Sequence, residues 1–374
     1  MKRLLLIMGT RPEGIKLAPL YWELKNYPKE FETKICITAQ HRKMIDQVLK
    51  FFNINPDYDL NLMKKNQSLF DITSKGLLKL EKVLEDFKPD AVIVQGDTTT
   101  AFVGALSAFY KKIKIIHVEA GLRSGNKYSP YPEEINRILI GHIADYHFVP
   151  TEKAKINLYN EGIKENVWVV GNTVIDALFL GLRIIEENLE LKKKIEYFFS
   201  PIFKYNKKII LVTAHRRESF GEELENICNA IKELSNIRSD IIIVYPVHFN
   251  PKVRETVNRI LGNLKNVFLI EPLDYPYFIY LMSKCYLILT DSGGVQEEGP
   301  SLGKPVLVMR EVTERTEGIH NGIARLIGTK KENIVKEVVH LLENQNEYEK
   351  LSKQKNLYGD GKASKKIVEI IQKL

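Results

Sequence analysis

Short apolar segments alternate with helical segments almost throughout this chain, and this alternation limits the possible folds more than any other feature. The apolar segments are rich in Ile and Val and nearly continuous, as is typical of parallel strands covered on both faces. Helices between them are indicated by Pro12 near the start of Glu13–Leu24 and by Thr151 as an N-cap for Glu152–Glu161. The first set of predicted strands is Leu4–Met8, Thr33–Thr38, Ala91–Gln95, Ile113–Val118, Tyr146–Val149 and Val167–Val170.

The same alternation begins again in the second half. A charged helical connector over Val174–Tyr197 and a loop over Ser200–Lys208 are predicted to lead into it. The strands expected there are Ile209–Thr213, Ile241–Val244, Val267–Ile270, Leu287–Thr290 and Pro305–Val308. Two such sets predict an α/β protein with two Rossmann-like doubly wound domains. We place these domains at residues 1–172 and 173–361, and we expect the last helix, residues 362–374, to pack on the first domain.

Composition excludes several classes of function. Of the 374 residues, 44% are hydrophobic and 27% charged, which is ordinary for a globular protein. The net charge of +8 is scattered, without a basic block interleaved with aromatics, so a small anionic substrate is expected rather than nucleic acid. No apolar run is long enough to span or insert in a membrane, and no signal peptide is recognised, so we expect a cytoplasmic location. Cys36, Cys228 and Cys285 are far apart and predict free buried thiols.

Polar residues follow the predicted strands repeatedly. Ligands of doubly wound sheets bind at the carboxyl ends of the strands, so we expect both domains to face one cleft with these residues. The residues in question are Gly9–Arg11, Gly96–Thr98, Glu119, His215–Arg217 and Asp291–Gly294.

Two of these loops are candidate phosphate sites. Gly293 and Gly294 lie at a strand-to-helix turn, where exposed amides and the helix dipole favour an anion, and Glu298 would reach ribose hydroxyls one turn later. Arg11 at a strand end is placed for bidentate phosphate contact. Neither a P-loop nor a GxGxxG fingerprint is present. The plainer alternatives are a tight glycine turn and a surface arginine.

The acidic residues Asp97, Glu119, Glu133 and Glu134 lie on strand-end loops of the first domain. Each alone could be a helix cap or a partner of a helix dipole, but together they indicate acid/base chemistry. A Mg²⁺ ion bound by Asp97 and Glu119 is the rival interpretation; without a tight carboxylate grouping or clustered histidines we predict no metal. His215, followed by two arginines, indicates a nearby anion, although a lone strand-end histidine is often structural.

Taken together, the motifs resemble those of the non-hydrolysing UDP-N-acetylglucosamine 2-epimerases. The resemblance runs in family order from Gly9 to Arg315, includes YGDG at Tyr358–Gly361, and covers essentially the whole chain. The blocks that carry it are GTRPEGIKLAPL, TAQHRKM, QGDTTTAF, HVEAGLRSG, YSPYPEEINR, VGNTVIDAL, TAHRRESFG, YPVHFNP, TDSGGVQEEGPSLGKPVLVMR and TER.

This resemblance implies a glycosyltransferase-B type fold with a UDP-binding second domain and an active site in the interdomain cleft. It implies reversible conversion of UDP-N-acetylglucosamine to UDP-N-acetylmannosamine without a metal or redox cofactor, in a homodimer that supplies cell-surface polysaccharide or glycan precursors. The implied route is elimination of UDP to 2-acetamidoglucal and its re-addition. A retaining or inverting glycosyltransferase, a hydrolysing epimerase and a non-enzymatic nucleotide-sugar sensor remain as alternatives.

The motifs also assign residues. Those matching the catalytic set are Asp97, Glu119, Glu133 and His215. Those matching the nucleotide-binding set are Arg11, Lys16, Phe278, Ser292, Gly293, Gly294, Glu298 and Arg315. Those matching a regulatory nucleotide-sugar site are Gln40, His41, Arg42 and His248. Two departures from the family pattern are Leu273, in the segment expected to hold the uracil, and Lys43, in the regulatory block, each where relatives carry Gln.

Overall fold

A computed structural model describes residues 1–39, 42–62, 67–214 and 221–374. The chain forms two compact units, one made of Met1–Leu180 with Tyr358–Leu374 and the other of Gly181–Leu357. The division therefore falls at Leu180 rather than at residue 172, and it assigns the YGDG segment to the first unit. The Asn172 amide donates to the Tyr358 carbonyl at 2.6 Å, which ties the YGDG segment to the first unit, and Asp176 accepts from the amides of Ala363 and Ser364, which keeps residues beyond 172 in that unit.

The strands described in the first unit form one parallel sheet, ordered β3-β2-β1-β4-β5-β6-β7. The direction of winding reverses between β1 and β4, and this switch opens a crevice at the carboxyl ends of those two strands. Their bounds are β1 (Lys2–Met8), β2 (Phe31–Ile37), β3 (Tyr58–Asp59), β4 (Ala91–Gln95), β5 (Lys114–Val118), β6 (Tyr146–Val149) and β7 (Val167–Val169).

Helices cover both faces of this sheet, which is why the interior of its central strands is apolar. Leu5, Ile7, Val92 and Val94, for example, are completely buried. The helices are α1 (Arg11–Lys25), α2 (Arg42–Phe51), α3 (Leu69–Phe87), α4 (Thr99–Tyr110), α5 (Glu133–Ile143), α6 (Glu152–Asn160) and α7 (Thr173–Glu187), which runs into the second unit. The predicted cap of α6 is confirmed, since the Thr151 side chain accepts from the Ala154 amide at 3.3 Å.

The second unit repeats the plan. Its described strands pair in parallel in the order β10-β9-β8-β11-β12-β13, with the switch between β8 and β11. The strands are β8 (Lys208–Thr213), β9 (Ile241–Pro246), β10 (Val267–Ile270), β11 (Leu287–Thr290), β12 (Val306–Val308) and β13 (Arg325–Leu326). The helices are α8 (Leu189–Phe203), α9 (Glu222–Ile237), α10 (Pro251–Leu261), α11 (Tyr275–Lys284), α12 (Gly293–Ser301), α13 (Thr316–His320), α14 (Lys331–Glu343) and α15 (Gln345–Ser352). The predicted class, two Rossmann-like α/β sheets, is confirmed.

The connector differs from its prediction. Instead of one helix followed by a loop over Ser200–Lys208, α7 and α8 meet at Asn188, whose side chain accepts from the Leu191 amide at 3.0 Å and starts a new helix. Helix α8 continues to Phe203 because Phe199 and Ile202 are buried. Tertiary packing thus overrides the local polarity of this segment.

Two further structural findings concern the cysteines and the helices. The three thiols are free and buried, as predicted, and burial raises the pKa of Cys228 and Cys285 to about 12. Over the residues that the structure describes, no helix is both long and apolar enough to cross a membrane.

The last helix, α16 (Ala363–Lys373), packs on the first unit. Its apolar face, Ile367, Val368 and Ile371, is buried. The buried Asp176 carboxylate on α7 accepts from the amides of Ala363 at 3.2 Å and Ser364 at 2.7 Å. A side chain from α7 thus satisfies two backbone donors that the first turn of α16 leaves without helical partners.

We predict that Asp176→Ala loosens α16. Losing both acceptor contacts should destabilise the docked helix by about 1–2 kcal/mol. Hydrogen exchange of the α16 amides should accelerate accordingly, whereas the amides of the second unit should not change.

The matched control is Asp360→Ala in the same segment. Asp360 pairs with Lys366 at 3.3 Å and accepts from the Lys362 amide at 3.2 Å, but these contacts are exposed to water, so the change should cost less than that of the buried Asp176, about 0.5 kcal/mol. Equal exchange rates in the two variants would show that Asp176 does not hold the helix.

Candidate active site

The predicted site residues of the first unit gather at the switch between β1 and β4. Arg11 begins α1 directly after β1, and Asp97 follows β4. Glu119 follows β5, the next strand, whose Val118 lies in register with Gln95. The sheet topology therefore gathers residues that are far apart in sequence at one edge.

Glu119 is the most constrained carboxylate of this set. It is buried, and its backbone adopts the left-handed conformation with φ of 62°, which is uncommon for a residue other than glycine. Lys16 from α1 forms an ion pair with Glu119 Oε2, and Gln95 donates to the same oxygen at 2.6 Å. Both neighbours donate, so this carboxylate is an acceptor held in one orientation.

Asp97 is held from helix α5. Arg137 donates through Nη2 to Asp97 Oδ2 in an ion pair, and the Asn136 side chain donates through Nδ2 to the Asp97 carbonyl at 2.9 Å. The carboxylate keeps about a quarter of its surface exposed, so it is anchored and still accessible.

Glu133 and Glu134 are adjacent but have different environments. Glu133 is the half-buried first residue of α5. Glu134 is buried, and its carboxylate accepts from the amides of Ser124 (2.9 and 3.0 Å) and Gly125 (2.9 Å). Glu134, which sequence reasoning grouped with the acid/base residues, is therefore an anchor for the 124–125 loop, because its acceptor oxygens are occupied by backbone donors.

Two buried ionisable residues frame the strand-end loops. Glu13 accepts from the Gly9 and Thr10 amides at 3.0 and 2.7 Å and from the Thr98 hydroxyl at 2.6 Å, which ties the loop after β1 to the loop after β4. Burial raises the pKa of Glu13. Burial also lowers the pKa of His117 to about 3, so its ring is neutral at pH 7 and donates from Nε2 to the Gly96 carbonyl at 2.7 Å.

The second unit places a glycine turn at its own switch point. The β8 and β11 strands end in Thr213 and Thr290, whose hydroxyls bond at 2.6 Å, and the Ser292 amide donates to the Thr290 hydroxyl at 2.9 Å. Helix α12 then begins at Gly293 and Gly294. The turn therefore directs the first amides of α12 toward the carboxyl edge of the sheet, as an anion site requires.

Arg315 lies against this turn. A Cβ added at Gly293 would come within 3.1 Å of the Arg315 guanidinium carbon, so any larger residue there would require the arginine to shift. Arg315 Nε donates to Glu297 Oε1 at 2.9 Å. The structure thus brings together three of the predicted nucleotide-binding elements: the helix amides, the glycine pair and the arginine.

Glu298 and Phe278 complete the predicted set of the second unit. Glu298 is buried on α12, and burial together with this nearby carboxylate raises the pKa of Tyr275 well above its usual value. Phe278 is a half-buried residue of α11, and Leu273 is half-buried in the loop before that helix.

The proposed regulatory residues are only partly described. Arg42 forms ion pairs with Asp46 at 3.0 Å and with Asp59, and His248 is exposed with Nδ1 accepting from the Asn250 amide at 3.2 Å. Gln40, His41 and the catalytic candidate His215 lie outside the described residues.

Sequence reasoning missed four supporting residues, namely Glu13, Gln95, Arg137 and Glu297. Gln95 carried a detectable signal, since it is a polar residue ending an otherwise apolar strand. Arg137 follows Glu133 by one helical turn, a spacing that places two side chains on one face. Glu13 also carried a signal, since Thr10 and Glu13 have the Thr-x-x-Glu spacing of a capping box, whereas its bond to Thr98 is tertiary. Glu297 is defined by its contact with Arg315, which local spacing does not reveal.

Comparison with known proteins identifies the family of the chain. Residues 23–372 match the family model for UDP-N-acetylglucosamine 2-epimerase. The chain is 53% identical to a UDP-N-acetylglucosamine 2-epimerase of Campylobacter jejuni, covering 100% of this chain and 98% of that protein. The corresponding enzyme of Escherichia coli K12 is also 53% identical, covering 99% and 98%.

Solved structures give the same result. The Neisseria meningitidis UDP-GlcNAc 2-epimerase bound to UDP-GlcNAc superposes with a TM-score of 0.90 at 50% identity and covers 100% of both chains. The Methanocaldococcus jannaschii UDP-GlcNAc 2-epimerase does so with a TM-score of 0.86 at 37% identity, again over 100% of both chains. By sequence and by fold, the chain belongs to the UDP-N-acetylglucosamine 2-epimerase family.

Proposed function

We propose that the chain interconverts UDP-N-acetylglucosamine and UDP-N-acetylmannosamine by eliminating UDP and adding it back. The observation that carries the proposal is the pair of strand-end carboxylates, Asp97 and Glu119, each held by its own cation at the switch of the first sheet. A carboxylate that is held in place at a strand end can act as a general acid or base. The UDP-N-acetylmannosamine formed by this reaction would serve as a precursor of cell-surface polysaccharide or other glycans.

The chemistry explains why the leaving group matters. The hydrogen on carbon 2 of the sugar is very weakly acidic, because no carbonyl lies next to it. Breaking the bond between carbon 1 and the phosphate oxygen places positive charge at carbon 1 and acidifies that hydrogen. The products of this step are UDP and 2-acetamidoglucal, and reversing it on the other face inverts carbon 2.

The second unit supports departure of UDP. The amides at the start of α12 and the positive end of its dipole favour the diphosphate, and Arg315 adds a positive charge beside them. We assign Ser292, Gly293, Gly294 and Arg315 to the diphosphate and Glu298 to the ribose. Phe278 is assigned to the uridine.

The first unit supports the proton transfers. Inverting carbon 2 requires removal of a proton from one face and delivery to the other, so at least two groups are needed. Asp97, Glu119 and Glu133 are the proposed groups, with Lys16 holding Glu119. Arg11 and His215 are proposed to stabilise the leaving diphosphate. Lys16 and Arg137 balance the charges of two of the carboxylates, and the family resemblance implies a reaction without a metal or redox cofactor.

We also propose that the enzyme is a homodimer acting in the cytoplasm, and that Gln40, His41, Arg42 and His248 form a second, regulatory nucleotide-sugar site. These assignments rest on the motifs that match the family. A titration of the initial rate against UDP-N-acetylglucosamine, comparing Arg42→Ala with the wild type, addresses regulation separately from catalysis.

Of the predictions that follow from the proposed function, the first concerns the reaction itself. Incubated in D₂O with UDP-N-acetylglucosamine alone, the enzyme should form UDP-N-acetylmannosamine carrying deuterium at carbon 2, because the abstracted proton exchanges before the return step. Nuclear magnetic resonance of the mixture reports both the sugar and its isotope.

Each other result has a distinct meaning. Absence of turnover without an acceptor would favour a transferase or a sensor, and free N-acetylmannosamine would favour a hydrolysing enzyme. Product without deuterium would contradict exchange between two faces and indicate one shielded base.

The second prediction concerns the carboxylates. Asp97→Asn, Glu119→Gln and Glu133→Gln should each lower kcat by roughly a hundredfold or more, the usual scale of acid/base catalysis, with a much smaller change in KM. Steady-state kinetics measures both. Glu152→Gln is the matched control, since Glu152 occupies the first turn of α6 as Glu133 does that of α5 and is exposed. Near-normal kcat in any one of the three would make that residue structural.

The third prediction concerns the diphosphate site. Gly294→Val should abolish UDP binding measured by calorimetry, because the side chain would occupy the space beside the α12 amides. Among the described residues, a Cβ there would meet only Glu298 Oε2, at an ordinary 3.7 Å, and thermal unfolding checks that the valine variant folds.

Glu332→Val controls for adding a β-branched residue to a helix of the same unit, since that side chain is 76% exposed. It should bind UDP normally. Unchanged UDP affinity in Gly294→Val would move the diphosphate away from the start of α12.

A further inference from the structure

Arg137 lies between two carboxylates whose environments differ. Its Nη2 donates to Asp97 Oδ2, and its Nη1 donates to Glu134 Oε2 at 3.1 Å. The arginine side chain is only 14% exposed, and that of Glu134 is 2% exposed. Because the guanidinium is planar with donors in a fixed fork, contact with one carboxylate restricts where the other can lie.

Glu134 provides the fixed end of this arrangement. Its carboxylate is held by the amides of Ser124 and Gly125 and is nearly inaccessible to water. Arg137 therefore cannot follow Asp97 freely, since its own orientation is set by a buried anion on the same helix. Asp97 is the partly exposed end, and Arg137 defines the orientation of its carboxylate.

The same helix controls the backbone of Asp97. The Asn136 side chain donates to the Asp97 carbonyl at 2.9 Å. Residues at the start of α5 thus hold both the main chain and the carboxylate of Asp97. That helix begins with Glu133, so the placement of one proposed proton-transfer group is tied to that of another.

We propose that Arg137 is a positioning residue, which acts on the reaction through the Asp97 carboxylate and makes no contact with the substrate itself. This inference rests on the proposed role of Asp97 in proton transfer. An exposed ion pair would contribute little, but this pair orients a reacting group, and displacement of such a group by about 1 Å costs on the order of a hundredfold in rate.

The test compares Arg137→Ala, Arg137→Gln and Arg137→Lys with the wild type. Arg137→Ala should lower kcat by about ten- to a hundredfold, with KM within about threefold, because the substrate-binding groups are untouched. Arg137→Lys should retain an intermediate kcat, since it keeps the charge but not the fork. Millimolar guanidinium chloride, far below denaturing concentrations, should restore kcat of Arg137→Ala at least several-fold by filling the vacated place.

Arg123→Ala is the matched control. Arg123 is 10% exposed and binds Glu161 through two nitrogens at 2.6 Å each, so it is a comparable buried-arginine pair in the same unit. Guanidinium should not raise its kcat. Thermal unfolding and circular dichroism show whether each variant folds, and Arg137→Gln serves if the alanine variant does not.

A second measurement tests the route through Asp97. In an Asp97→Asn background, Arg137→Lys should have little further effect on kcat, because the carboxylate it orients has gone. Independent, additive effects would overturn the proposal, as would an effect on KM alone, a normal kcat in Arg137→Ala and Arg137→Gln, or loss of kcat that guanidinium does not restore. Epimerisation by the wild type tests the proposed function by itself. Failure of the proposed function can therefore be distinguished from failure of the proposed role of Arg137.

Discussion

The reversal of winding in a parallel sheet is the constraint on which the rest of this molecule depends. Between β1 and β4, and again between β8 and β11, the connections leave toward opposite faces, and the strand-end loops separate. Where the loops separate, their backbone amides and side chains are not covered by neighbouring loops. They lie at the carboxyl ends of the strands, which is also where the helix N-termini point. Each unit therefore offers a strand-end edge suited to a polar site, and among the described residues Asp97 and Glu119 lie at this edge of the first unit and Gly293 and Gly294 at that of the second.

Burial then dictates what those loops contain. A carboxylate directly after a buried strand loses water, and only nearby donors compensate. Glu119 has Lys16 and Gln95, Glu13 has two amides and a hydroxyl, and Glu134 has the 124–125 loop. The compensation also separates their roles. Glu13 and Glu134 are enclosed by structural donors, whereas Asp97 keeps an accessible surface and can face a substrate.

The sequence predicted the central strands well because they are apolar on both faces, and a run such as Ala91–Gln95 has no competing interpretation. It predicted the strand-end residues because glycines and charges interrupt these runs. It did not predict the pairing of Arg137 with Asp97, since nothing local distinguishes a tertiary ion pair from a helical one. The end of α8 was also predicted wrongly, because it depends on tertiary packing. Burial of Phe199 keeps the chain helical through a polar segment that contains a proline. The two-residue strands β3 and β13 are too short to show any periodicity.

The pairing of these charges bears on how substrate binding proceeds. Within their own units, Lys16 pairs with Glu119, Arg137 with Asp97 and Arg315 with Glu297. A substrate diphosphate at the α12 turn would share Arg315 with Glu297 rather than meet an isolated cation, which lowers the cost of desolvating the arginine before binding. The carboxylates are held in the same way, so little reorganisation is needed when a proton moves. Preorganisation of this kind would reserve binding energy for the transition state of the proposed elimination, in which charge separates between carbon 1 and the departing phosphate.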